Sequence, residues 1–306
     1  MRQLTRHWDV PALVFAFLVG LSLTAHGADL KVECGGKGQL STITSALKKI
    51  NPAGPNTVTV FGTCTENVLI RGFNRLTLIG SSGASINDAS GGTGFVVDVE
   101  DSTDVILQGF AINGGFIGVF CADFSICRFN GNTIQGALQA GVQVVQSRAT
   151  FDANTIQNNL LGLTSLESSA IRSNGGLVVQ QNQSSGVVID TGSSFAAFGT
   201  TIQSNGNAGI EMDVSASLTI ADSTITGNLF GVTVLSHSDA HFFANNVITG
   251  NELNGVVVSD LSFVLFEASS TITGNGAGLD VTCQAKFSAT RGALANIGGG
   301  ITDCTE

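Results

Sequence analysis

The chain has 306 residues, a net charge of −10, only 12% charged side chains, 43% hydrophobic ones and 39 glycines. That is too apolar for disorder, and the formers of long helices are too scarce for a helical bundle. No Lys/Arg cluster follows the first few residues, which excludes recognition of a phosphate backbone: no nucleic-acid partner is expected, and adsorption to anionic lipid is disfavoured.

Arg2, Arg6 and His7 precede an apolar run from Ala12 to Ala25, and Ala25, Gly27 and Ala28 supply small residues for cleavage. Residues 1–28 are expected to be a signal peptide, which leaves a secreted or periplasmic chain with no membrane span after cleavage. Six cysteines remain: Cys34, Cys64, Cys121, Cys127, Cys283 and Cys304. An even count in an exported chain points to disulfides. Neighbourhood in the sequence favours Cys34 with Cys64, Cys121 with Cys127 and Cys283 with Cys304. No CxxC pair supports zinc.

Residues 29–55 are expected to form an N-terminal segment. Within it, Ile43, Ala46, Leu47 and Ile50 share one face of a capping helix. From residue 56 to 306 two landmarks keep one beat. A glycine followed by an apolar residue recurs at Gly94, Gly118, Gly141, Gly162, Gly186, Gly209, Gly231, Gly255 and Gly278. A β-branched residue recurs at Ile112, Ile134, Ile156, Val179, Ile202, Ile225, Ile248, Ile272 and Ile297. Three residues after the second beat stand Asn159, Asn182, Asn205, Asn228, Asn251 and Asn275. Stacked coils would set these amides about 4.8 Å apart, close enough to form a hydrogen-bonded ladder. Asparagine also tolerates the left-handed backbone of a sharp bend.

Such a period fits an all-β fold: a right-handed parallel β-helix solenoid of about ten coils, with a C-terminal disulfide cap after Cys283. The beat, together with the entry segment Gly62 to Ile70 (containing Cys64 and Glu66) and the strand Leu76 to Gly80, resembles the right-handed β-helix repeat proteins of the pectin-lyase-like superfamily. That resemblance implies the fold and the helical cap, and it leaves the reaction open.

Superfamily enzymes carry their sites on outward residues of adjacent coils. Asp98 and Glu100 alternate with valines on one strand. Later coils place Asp190, then Glu211 and Asp213, then Asp280 at comparable points. Asp190, Glu211 and Asp213 are the candidate catalytic carboxylates. Their chemistry suits a paired-carboxylate or Ca²⁺ site, with solvated surface charge as the plain alternative. No other cofactor is evident. His237, Asp239 and His241 would share a strand face and are the candidate metal ligands. With them goes a resemblance to periplasmic β-helix proteins linked to copper handling.

No polygalacturonase-like or pectinesterase-like motif stands in the chain. Arg128, Arg148 and Arg172 of the central coils lie in no pectate-lyase-like setting. Trp8 is the only Trp and there is no Tyr, so the usual sugar-stacking side chains are missing. The leading expectation is therefore a non-catalytic surface, envelope or binding scaffold whose partner is a polysaccharide or envelope component. The alternative is a polysaccharide-active lyase, epimerase or hydrolase.

Overall fold

A computed structural model describes residues 27–36, 38, 40–267, 269–276, 280–283, 289–292 and 301–302. The signal segment (apart from Gly27 and Ala28), Gly278, Ile297 and Cys304 lie outside the described residues.

Among the described residues the strands form three parallel sheets of twelve, eleven and ten strands, and each strand pairs with its counterpart one coil away. One coil shows the path. Ala140–Val145 belongs to the eleven-stranded sheet, Arg148–Asp152 to the twelve-stranded sheet and Thr155–Gln157 to the ten-stranded sheet. The chain then re-enters the eleven-stranded sheet at Leu161–Leu166. The molecule is thus a parallel β-solenoid of about ten coils, in which each described inner strand is hydrogen-bonded on both edges by the neighbouring coils.

Strand alternation sends one row of each sheet inward. Ile86, Ile112, Ile134, Ile156, Val179, Ile202, Ile225, Ile248 and Ile272 pair in register and are fully buried. The opposite wall of the core is aromatic in part: Phe129 stacks on Phe151, and Phe242 packs against Phe266, each with ring centroids 4.9 Å apart.

The corners are held by polar ladders. Asn159, Asn182, Asn205, Asn228, Asn251 and Asn275 are buried, and each Nδ2 donates to the Oδ1 of the next at 2.8–3.1 Å. The same Oδ1 also accepts the backbone N–H of the preceding asparagine. The left-handed residues are Asn158, Gln181, Ser204, Gly227, Gly250 and Gly274, each one position earlier. The ladder asparagines therefore do not themselves make the bend, contrary to expectation. Their side chains satisfy the polar backbone that the bend exposes.

Two further ladders hold the other corners. In the first, the hydroxyls of Ser102, Ser125, Ser147, Ser169 and Ser193 each accept a backbone N–H from the preceding coil, and Ser238 and Ser262 do so further on. In the second, Asn132 and Asn154 begin a row that resumes at Ser223, Asn246 and Ser270. Leu177 and Ala216 interrupt these rows with apolar side chains, which hides the period.

Asp280 departs from expectation. It is buried rather than outward, and its Oδ1 accepts from the N–H and the Nδ2 of Asn275 at 3.0 and 2.7 Å. Val281 pairs with Val256, so Asp280 stands opposite Gly255. A carboxylate ends the asparagine ladder where the next amide would have been.

At the N-terminal end the helix is short, Ile43–Leu47, with Ile43, Ala46 and Leu47 buried. The carboxylate of Glu66 accepts from the N–H of Ile43 at 2.7 Å and from the N–H and hydroxyl of Thr44 at 3.0 and 2.6 Å. Cys34 is bonded to Cys64 and Cys121 to Cys127, and Cys283 is also in a disulfide. No described cysteine is free.

Candidate functional site

Two of the three candidate carboxylates share one position in successive coils. Ile189 pairs with Met212, so the next residues, Asp190 and Asp213, stand at the same point of successive coils, just past those strands of the eleven-stranded sheet. Each turns one oxygen back to the N–H of its following residue, Thr191 at 2.5 Å and Val214 at 2.9 Å. Glu211 lies in the next outward row, opposite Val188. Its Oε2 is taken by the Ser185 hydroxyl at 2.5 Å and by Asn207 Nδ2 at 3.5 Å. All three are half-buried and none faces a cationic partner within ion-pair distance among the described residues.

The candidate metal ligands do not stand on one strand. The strand begins at Asp239, and His237 sits before it at a corner with φ +65°. Among the described residues, these three form no group of donor atoms within 4.8 Å of one another. His241 is half-buried; its Nε2 lies 3.2 Å from Glu267 Oε1, and its ring lies 3.7 Å from that of Phe243. Among the described residues the one group of three His, Cys, Asp or Glu donors within 4.8 Å is Cys34, Cys64 and Glu66. Both of those thiols are oxidised, and Glu66 is committed to the helix start.

Asp98 belongs in the sequence only to an acidic stretch, yet its surroundings in the fold hold its carboxyl well above the usual range. It lies opposite Leu69 and Phe120, beside the pair formed by Phe95 and Phe120, whose ring centroids are 4.6 Å apart. Its Oδ1 is shielded from water and has no hydrogen-bond partner. Burial first, and then the Glu100 carboxylate, push its carboxyl up to about 6, although Arg71, which is ion-paired with Glu100, pulls the other way.

The folded chain keeps that proton up to about pH 6, whereas the unfolded chain releases it near pH 4. Stability contributed at Asp98 is therefore present below about pH 4, falls as pH rises through 4–6 and stays lost above. Asp98→Asn is expected to stabilise the protein by about 1 kcal/mol at pH 7.5, discounted because the group keeps contact with solvent. The gain should vanish at pH 4. Urea unfolding at the two pH values checks this, and an equal gain at both sinks the assignment.

Asp88 moves the opposite way. Burial raises it, but donors from Ser90, Asn67 and the Gly92 N–H outweigh burial and hold it well below the usual carboxylate range. It orders the loop over 88–94.

No described helix is long and apolar enough to cross a membrane. The fold resembles tailspike protein 2 of an Escherichia coli O157:H7 bacteriophage, with a TM-score of 0.67 and 12% identity over 85% of this chain and 41% of that one. Pectate lyase Pel9A follows, with a TM-score of 0.52 and 11% identity over 91% and 78% of the two chains. The Dettilon tailspike gives a TM-score of 0.56 and 12% identity over 88% and 66%. This chain thus spans less than half of the first tailspike's length. At such identities these likenesses speak for the β-helix fold alone. No curated protein matches the chain. The family model described as periplasmic copper-binding protein (NosD) matches residues 78–278. That stretch holds eight whole strands of the twelve-stranded sheet, from Thr103–Gln108 to Phe263–Phe266, and the entire asparagine ladder, and on it the chain belongs to the NosD family of periplasmic β-helix proteins.

Proposed function

We propose that this chain is a non-catalytic, envelope-side binding scaffold that presents the regular faces of its solenoid to a partner. The observation that carries this reading is how its polar side chains are used. Glu211 is tied to Ser185 and Asn207, Asp280 closes a ladder, Glu66 holds the helix start, and Asp190 and Asp213 order their own turns. These groups support the scaffold.

The family's description speaks of copper, which favours imidazole, thiolate and thioether donors. Within residues 78–278 those donors are His237, His241, Met212, Cys121 and Cys127. The cysteines are bonded to each other, Met212 is fully buried, and the two histidines stand on different features of the coil. This donor set does not fit a built copper centre.

The test is incubation of the full chain with pectate and alginate. No product above buffer is expected, and product release that disappears in Asp213→Asn would overturn the scaffold reading. In a parallel titration, Cu²⁺ should bind the chain and the His237→Ala/His241→Ala variant alike. Affinity lost in the variant would restore a copper role.

A further inference from the structure

Between residues 76 and 285 the chain has just three basic residues, Arg128, Arg148 and Arg172, in a protein whose net charge is −10. The solenoid brings all three to the outward face of one sheet, on three successive coils. Arg128 pairs with Thr150, which pairs with Arg172, so these two arginines share a row two coils apart, at about 10 Å. Arg148 stands on the coil between them, one outward row over, opposite Ile126 and Ala170. Nothing in the core or in strand pairing calls for cations there, because all three side chains point to solvent.

Their partners divide them. Arg128 is paired with Asp104 at 3.0 Å. Arg172 is held in place: its Nε donates to Asn174 Oδ1 at 2.7 Å, and its guanidinium carbon lies 4.7 Å over the Phe198 ring. Arg148 makes no ion pair or side-chain hydrogen bond among the described residues. Arg148 and Arg172 line a trough of ≈ 440 Å³ that runs along the solenoid axis to Thr219. Its floor carries the hydroxyls of Thr150, Ser194, Ser217 and Thr219 among alanines, and no carboxylate lines it. Ser217 is engaged by Asp239 at 3.1 Å, which marks the acidic far end.

The geometry points to a binding trough for an extended acidic glycan, with the Arg148 and Arg172 guanidinium groups taking its sulfate or carboxylate groups and the hydroxyl floor taking its hydroxyls. A pre-positioned guanidinium matches an oxyanion with two parallel hydrogen bonds. Small hydroxyl side chains let a polyhydroxylated chain lie close to the sheet. The strands under the trough are paired on both sides, so it offers no free strand edge by which an extended peptide is held. This assignment rests on the scaffold reading, since it names that scaffold's ligand.

The experiment is calorimetric titration of the full chain, at low salt, with a heparin-derived hexasaccharide and separately with an oligogalacturonate of the same length. At least one should bind, which also separates sulfate from carboxylate recognition. Arg148→Gln/Arg172→Gln is expected to weaken binding at least tenfold and to flatten its salt dependence. Arg75→Gln, outside the trough, should leave both unchanged. Arg172→Lys, which keeps the charge but loses the planar fork, should fall between and serves if the double variant does not fold. Absence of binding by either saccharide, equal weakening by Arg75→Gln, or equal binding of poly-glutamate would overturn the proposal. Cleavage of a saccharide that still binds would overturn the scaffold reading and leave the trough standing.

Discussion

Asn205→Leu is expected to lower the free energy of unfolding by about 3 kcal/mol or more, the cost of orphaning two buried donors. Asn205 Oδ1 accepts from the N–H and the Nδ2 of Asn182 at 3.1 and 2.9 Å, and its own Nδ2 reaches the Val179 carbonyl at 3.3 Å and Asn228 Oδ1 at 2.9 Å. Leucine fills much the same volume, so loss of packing is small and the polar term decides. Both donors of Asn182 would then sit at a corner that water does not reach. A second amide row gives the control. Gln180 Nε2 donates to Gln157 Oε1 at 2.8 Å, and its own Oε1 accepts from Gln203 at 2.7 Å, but this ladder lies on the outward face, half-buried. Water can replace those bonds, so Gln180→Leu should cost under about 1 kcal/mol. Urea denaturation of both variants decides, and equal losses would mean that the corner ladder contributes no more than a surface one.

The solenoid was legible because it writes each structural demand once per coil. The isoleucine row, the asparagine row and the coil length all follow from positions that recur every 21–26 residues. The serine corner carried the same kind of signal, from Ser102 through Ser125, Ser147, Ser169 and Ser193, but serine and threonine are common enough that a row broken at Ala216 does not stand out. Orientation was harder to read. His237, Asp239 and His241 obey strand alternation on paper, yet the left-handed corner at Ser236 and His237 leaves His237 ahead of the strand that carries the other two. Asp280 was misplaced for a related reason. At the end of a ladder a side chain takes the role of a coil that no longer supplies an asparagine, and periodicity says nothing about ends. The arginine trough was invisible as a motif because its members come from different coils. Only the register sets Arg128, Thr150 and Arg172 side by side.

The glycine beat leads to the second large effect: Gly209→Ala is expected to cost about 3 kcal/mol or more, although its backbone is one that alanine adopts freely. Gly209 does not have a positive φ. The obstacle is the next coil. A Cβ at this position would lie 2.7 Å from the carbonyl oxygen of Gly231, 2.7 Å from Ile225 Cγ2 and 2.9 Å from Asn228 Nδ2. None of the three can yield alone. The Gly231 carbonyl belongs to a backbone held through Ala208–Phe230 and Ile210–Val232, Ile225 is fully buried in its row, and Asn228 is a rung of the ladder. Forcing a methyl group in therefore separates two coils at a corner or breaks the rung, an overpacking cost at the upper end of the usual range. Gly131 provides the contrast, since it has φ +61° and open space around its missing Cβ. Gly131→Ala should cost about 1 kcal/mol from backbone strain alone. Thermal and urea unfolding of the two variants separate the explanations. A Gly131→Ala loss equal to that of Gly209→Ala would mean that conformational freedom, and not the approach of the next coil, sets the beat.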